Sequence, residues 1–152
     1  MNGYTNQYLA NTIYSASPEQ LMLMLYDGAV RFLTQGIQAI EANQIDKRAY
    51  YINKASAIIS EFAATLDHDQ NAEVAESLDA LYSYMLNRLQ QGNLRNDTQP
   101  LEEVKNMLSD LRNTWAEAIE IQKKETAPKK QVKYPGTDAK PVQQYKSIAT
   151  AM

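Results

Sequence analysis

A chain of 152 residues without cysteine can form neither disulfides nor thiolate metal sites, and its length suits one domain with a substantial core. Its net charge of −3 is unevenly spread: residues 126–152 hold five lysines against Asp138 alone, a net +4, which leaves −7 for residues 1–125. So acidic a body argues against nucleic-acid binding by the folded part. The longest unbroken apolar run, Leu21 to Tyr26, is too short to cross a bilayer, and the first fourteen residues have neither the basic start nor the apolar stretch of a secretory signal. Met1-Asn2 excludes N-myristoylation. The expectation is a cytoplasmic protein with no stable membrane insertion.

Residues 1–16 lack a helical repeat yet hold Tyr4, Tyr8, Leu9, Ile13 and Tyr14. Aromatic groups of this density want cover, which predicts an irregular N-terminal strap lying on the folded body. A helix is predicted from about Pro18 to Ala42, with Ser17 as N-cap, Pro18 at the first position and Gln20 completing a capping box. This helix has two apolar stripes. Leu21, Met24, Leu25, Gly28, Ala29, Phe32 and Gly36 make one; Met22, Tyr26, Val30, Leu33 and Ile37 make the other. One stripe suffices for packing on one side, so two mean burial on both sides or a face kept for a partner.

A second helix is predicted from Asp46 as cap, with Ile52, Ala55, Ile58 or Ile59, Phe62, Ala63 and Leu66 inward. Asp67 to Asn71 reads as a polar turn. A third helix spans about Ala72 to Gln91, with Val74, Leu78, Leu81 or Tyr82, Met85 and Leu89 inward and Gly92 as its stop. A fourth starts at a cap on Asp97 or Thr98 and places Leu101, Val104, Leu108, Leu111, Trp115, Ala118 and Gln122 on one face. Connections of three to seven residues favour antiparallel neighbours. The fold class is therefore all-α: an antiparallel four-helix bundle over 17–125, a strap over 1–16, and a flexible basic tail over 126–152, where Pro128, Pro135, Gly136 and Pro141 interrupt any helix.

Catalytic and metal readings fail on particular residues. Asp67-His68-Asp69-Gln70-Asn71 starts like an EF-hand loop, but Ala72 stands where the sharp turn needs Gly and Leu78 where calcium needs a bidentate Glu. His68 is the only histidine and Thr65 precedes it by three, so the paired Glu-x-x-His motifs of di-iron bundles cannot be built. Neither a nucleophile turn nor a Gly-rich phosphate loop is present. No enzyme and no cofactor are expected. Ten tyrosines against two phenylalanines and one tryptophan point instead to a contact surface, since Tyr buries a ring while leaving its hydroxyl wet. Neighbours such as Tyr50-Tyr51 cannot both face one core. Candidate partner-binding residues are Tyr8, Met22, Tyr26, Val30, Leu33, Ile37, Tyr51 and Tyr84.

Several segments resemble one family in order. Ala16-Ser17-Pro18 followed by Leu25-Tyr26-Asp27-Gly28-Ala29 is similar to the first-helix signature of the flagellar export chaperone FliS family. Ala55 to Asp67 resembles the second helix, Leu81 to Leu89 the third, Asn93 to Asp97 the following loop, and Glu102-Glu103-Val104 with Leu108, Leu111 and Trp115 the fourth. The likeness spans about residues 8–122. It departs before the third helix, where Asn71-Ala72-Glu73 stands in place of Gly-Gly-Glu. It implies a chaperone that holds the C-terminal segment of flagellin, prevents early polymerisation and delivers it to the type III export gate. It also implies that the strap covers part of the client groove, with Tyr8 seated in it. The residues alone leave open an adaptor for another amphipathic helix, or a structural homodimer. A monomer or weak homodimer is expected.

Overall fold

The computed structural model describes residues 3–126. Five helices run in chain order: α1 (Gly3–Ser15), α2 (Pro18–Glu41), α3 (Ile45–Ala64), α4 (Ala72–Arg95) and α5 (Thr98–Thr126). Helices α2 to α5 are the four predicted ones. Residues 127–152, with the tail's prolines and five lysines, lie outside the described residues, as do the side chains of residues 3–5, including Tyr4. No described helix is long and apolar enough to cross a membrane.

The expectation of an irregular strap does not hold. Residues 3–15 are helical, and the residue that anchors them is Ile13, fully buried in the main core cluster. Absence of periodicity misled here because a helix with one anchor needs no stripe.

Each of α2 to α5 packs on its neighbours in the chain, and α5 closes the ring against α2. The pairings run antiparallel: Tyr26 lies on Phe62 and Phe32 near Tyr51, while Asp27 reaches Arg112 and Gly36 meets Leu101. Thus α2 sits between α3 and α5, and both of its stripes are consumed. Leu21, Leu25, Ala29 and Phe32 are buried, and so are Met22, Tyr26, Leu33 and Ile37. The second of the two readings of those stripes, a face left open for a partner, is not what the described structure shows for these four.

The helix ends follow local chemistry. Ser17 accepts from the Gln20 amide, and the Gln20 side chain accepts from the Ser17 amide, which is the predicted capping box. At the other end of α2, Asn43 adopts a left-handed conformation, with bonds from Asn43 N to Ile40 O and Gln44 N to Ala39 O. Both bonds together form a Schellman turn, and Asn is among the few residues other than Gly that tolerate its geometry. Gln44, not Asp46, precedes α3, and its side chain makes no capping bond. Asp67 accepts from the Asp69 and Gln70 amides, so the calcium-like run is a turn held by its own first carboxylate. Asn71 caps α4 through the Val74 amide, and Asp97 accepts from the Gln99 amide at the start of α5.

Gly92 does not stop α4. The helix continues to Arg95, and left-handed Asn96 ends it. Gly92 instead lets α5 approach: a Cβ there would stand 2.5 Å from Leu101 Cδ1 and 3.1 Å from the Asp97 carbonyl oxygen. Leu101 is hemmed in on its other side as well, since a Cβ at Gly36 would meet its Cδ2 at 3.0 Å. Arg48 then ties α3 to the end of α4 by donating to Asn93 and Asn96 at 2.8 and 2.9 Å.

Candidate functional site

At the end of the bundle where α3 stops and α4 starts, one aromatic residue from each bundle helix converges. Tyr26 of α2 stacks on Phe62 of α3 with centroids 4.4 Å apart, and Phe62 lies 5.8 Å from the ring of Tyr82 on α4. The Tyr26 and Tyr82 hydroxyls are 2.7 Å apart. From α5, the Trp115 indole N–H donates to the Tyr26 hydroxyl at 3.2 Å. Tyr26 is fully buried, so these bonds satisfy a polar atom that would otherwise be costly inside a core.

This cluster floors a pocket of about 90 Å³. Its walls are mainly apolar: Met22, Leu66, Val74, Leu78 and the Trp115 ring, with Thr65, Asp67 and Asn71 contributing polar groups. Val74 is exposed although the spacing predicts it inward, so part of the apolar wall faces solvent. Helix α1 is attached through Ile13, while Tyr8, Leu9 and Tyr14 stay exposed.

The structure disperses the sequence-predicted partner residues. Met22 lines the pocket and Tyr26 lies under it. Leu33 and Ile37 are core residues further along α2, and Val30 and Tyr51 are partly buried against that core. Tyr8 is 75% exposed, so Ile13 and not Tyr8 occupies the bundle in this state. Tyr84 is 46% exposed and sits on the α4–α5 flank, donating to Glu103, which also pairs with Arg88 at 3.1 Å. That bond to Glu103 is the main cause that holds the Tyr84 phenol above its ordinary pKa, with desolvation adding to it. Asp27 forms an exposed pair with Arg112 at 3.1 Å on the α2–α5 seam. Trp115, Leu66, Val74 and Leu78 were each legible as inward helix positions. That they converge on one pocket depends on how four helices register, which periodicity does not encode.

Nothing in this arrangement moves a proton or holds a nucleophile. Among the described residues, no group of three His, Asp or Glu side chains is placed to hold a metal ion. A helical bundle with an apolar pocket at one end and exposed apolar side chains on its terminal helix has the features of a protein that holds a segment of another chain. Comparison with known proteins specifies the class. The family model described as flagellar protein FliS matches residues 1–122. The chain is 39% identical to the flagellar secretion chaperone FliS of Bacillus subtilis (strain 168), over 82% of this chain and 91% of that protein. It is 37% identical to its Salmonella typhimurium counterpart over 76% and 86%, and 33% identical to that of Escherichia coli (strain K12) over the same shares. The chain belongs to the FliS family, and is accordingly a chaperone of flagellar export, not an enzyme.

Proposed function

We propose that this protein binds the C-terminal segment of flagellin in the cytosol, keeps it from polymerising, and hands it to the flagellar type III export apparatus. The observation that carries this reading is an apolar pocket at one end of a bundle whose terminal helix leaves most of its described apolar side chains exposed. Helix α1 has one fully buried anchor, Ile13, and three exposed apolar side chains, Tyr8, Leu9 and Tyr14. A filament subunit's terminal segment is amphipathic and would otherwise associate with its neighbours. Seating its apolar face on another helical protein blocks that association. In this reading Ile13 leaves the core when the client arrives, Met22 and the Trp115 ring become contact surface, and the bonds of Tyr26 keep the pocket floor in shape. Tyr8 and Tyr84, already exposed, are available at the margins.

A cover that competes for its own site lowers apparent affinity by the fraction of molecules that are open. Ile13→Asp should therefore tighten binding of the flagellin C-terminal segment and raise hydrogen exchange across residues 6–15. Weaker binding at unchanged melting temperature would show that α1 contacts the client instead of shielding the site. Failure of both wild type and variant to bind flagellin would remove flagellin as the client.

A further inference from the structure

The antiparallel packing sorts charge in a way that the linear sequence hides. One half of the bundle comprises residues 17–29, 58–82 and 108–126: the start of α2, the end of α3, the start of α4 and the end of α5. It carries twelve carboxylates against Arg112, Lys123 and Lys124, a net −9. The other half, residues 30–57 and 83–107, carries five carboxylates against seven Lys and Arg, a net +2. All the acidic excess of the folded body therefore lies at the end that holds the pocket. Asp67 is in the pocket wall, and Asp69 and Glu73 flank it in the turn and first turn of α4.

A pocket with apolar walls in a strongly acidic surround selects a basic segment with apolar anchors. This chain carries one. Residues 127–152 hold Lys129, Lys130, Lys133, Lys140 and Lys146 against one aspartate, and Val142, Tyr145, Ile148 and Met152 are spaced among them. The segment leaves α5 at Thr126, at the same acidic end. Trp115 precedes Thr126 by eleven residues, about 16 Å of helix. A random coil of nineteen residues, the number from Ala127 to Tyr145, would span roughly 25 Å on average, so the length suffices to return to the pocket without stretching. The segment also lies past residue 122, where the match to the family model ends.

We infer that the pocket formed by Met22, Phe62, Leu66, Val74, Leu78 and Trp115 is the docking site of this chain's own C-terminal segment. The Tyr145 and Ile148 side chains enter the apolar walls, and the lysines lie over the Asp67–Glu73 rim. Tethering makes the encounter intramolecular, at an effective concentration of order millimolar, so a weak contact is populated. The inference stands on the pocket and the charge pattern, and does not depend on which client the protein carries.

The absence of cysteine permits a direct test on the full-length chain. A nitroxide attached at Ser147→Cys should selectively broaden amide signals of residues 65–78 and the Trp115 indole, leaving residues 45–54 and 88–97 sharp. Broadening should be lost at about 1 M salt, where the screening length falls to about 3 Å. It should also be lost in the exposed-rim variant Asp69→Lys/Glu73→Lys and in Tyr145→Asp/Ile148→Asp. Uniform or absent broadening, with the bundle folded, would overturn the inference. So would equal broadening in isotope-labelled protein that carries no nitroxide when it is mixed with spin-labelled protein at natural isotope abundance, since the occupant would then be a second copy.

Discussion

Replacing Tyr26 discriminates between two roles that its sequence context leaves open. As an open groove residue it would be dispensable for stability; as drawn by the structure it is a keystone of the core. Its ring is fully buried and stacked on Phe62 at 4.4 Å, and its hydroxyl meets both Tyr82 and Trp115. Tyr26→Ala removes a buried aromatic and leaves a cavity, a change that costs about 3–5 kcal/mol. For a bundle of this length that is a fall in Tm of roughly 10–20 °C, a large part of a total stability of about 5–15 kcal/mol. Tyr26→Phe keeps the ring and removes only the shared hydroxyl, which should cost about 1–2 kcal/mol. Urea denaturation followed by circular dichroism gives both values. The single tryptophan adds a local signal, because Trp115 loses its acceptor in the Phe variant and its fluorescence should shift. A Tyr26→Ala protein within about 1 kcal/mol of wild type would refute the argument, since no buried stacked ring can be deleted so cheaply.

Gly92→Ala should destabilise by about 1–3 kcal/mol through overpacking, offset by up to about 1 kcal/mol from better helix propensity; Leu101 cannot retreat because Gly36 bounds its other side, and a variant at or above wild-type stability in chemical denaturation would show that α5 can shift. Tyr84 supplies a pH test. Its folded pKa is raised, chiefly by the bond to Glu103, so its contribution is fully present below the ordinary phenol value of about 10 and is lost as pH rises through the higher folded value. Tyr84→Phe should thus be less stable than wild type by a constant margin at neutral and mildly alkaline pH, and the margin should close above about pH 10; a margin that does not change with pH would mean the Glu103 bond is not made in solution.

The four bundle helices were readable because each carries strong local signals. Ser17-Pro18-Glu19-Gln20 specifies a helix start by cap chemistry alone, and the apolar positions of the α3, α4 and α5 stretches repeat at three and four. Where the reading missed, the deciding contacts were long-range. Gly92 carries a stop signal locally, but its missing side chain serves Leu101 on the next helix. Helix α1 shows no stripe, and among its described side chains Ile13 is the buried one. The place of Tyr26 in a second stripe fits either a groove or a core, and the packing of α3 and α5 on both sides of α2 buries it. The pocket is less legible still. It assembles Met22, Phe62, Leu78 and Trp115 from four helices, and the acidity around it emerges only when antiparallel segments are brought side by side.

The proposed capture of the C-terminal segment of flagellin requires this bundle to bury apolar surface on binding. Titrating that segment into the full-length protein by calorimetry at several temperatures tests it most directly. One-to-one binding with a strongly negative heat-capacity change is expected, matching burial on the order of 1,000–3,000 Å² as the client orders. No binding at tens of micromolar, or binding with a heat-capacity change near zero, would contradict it.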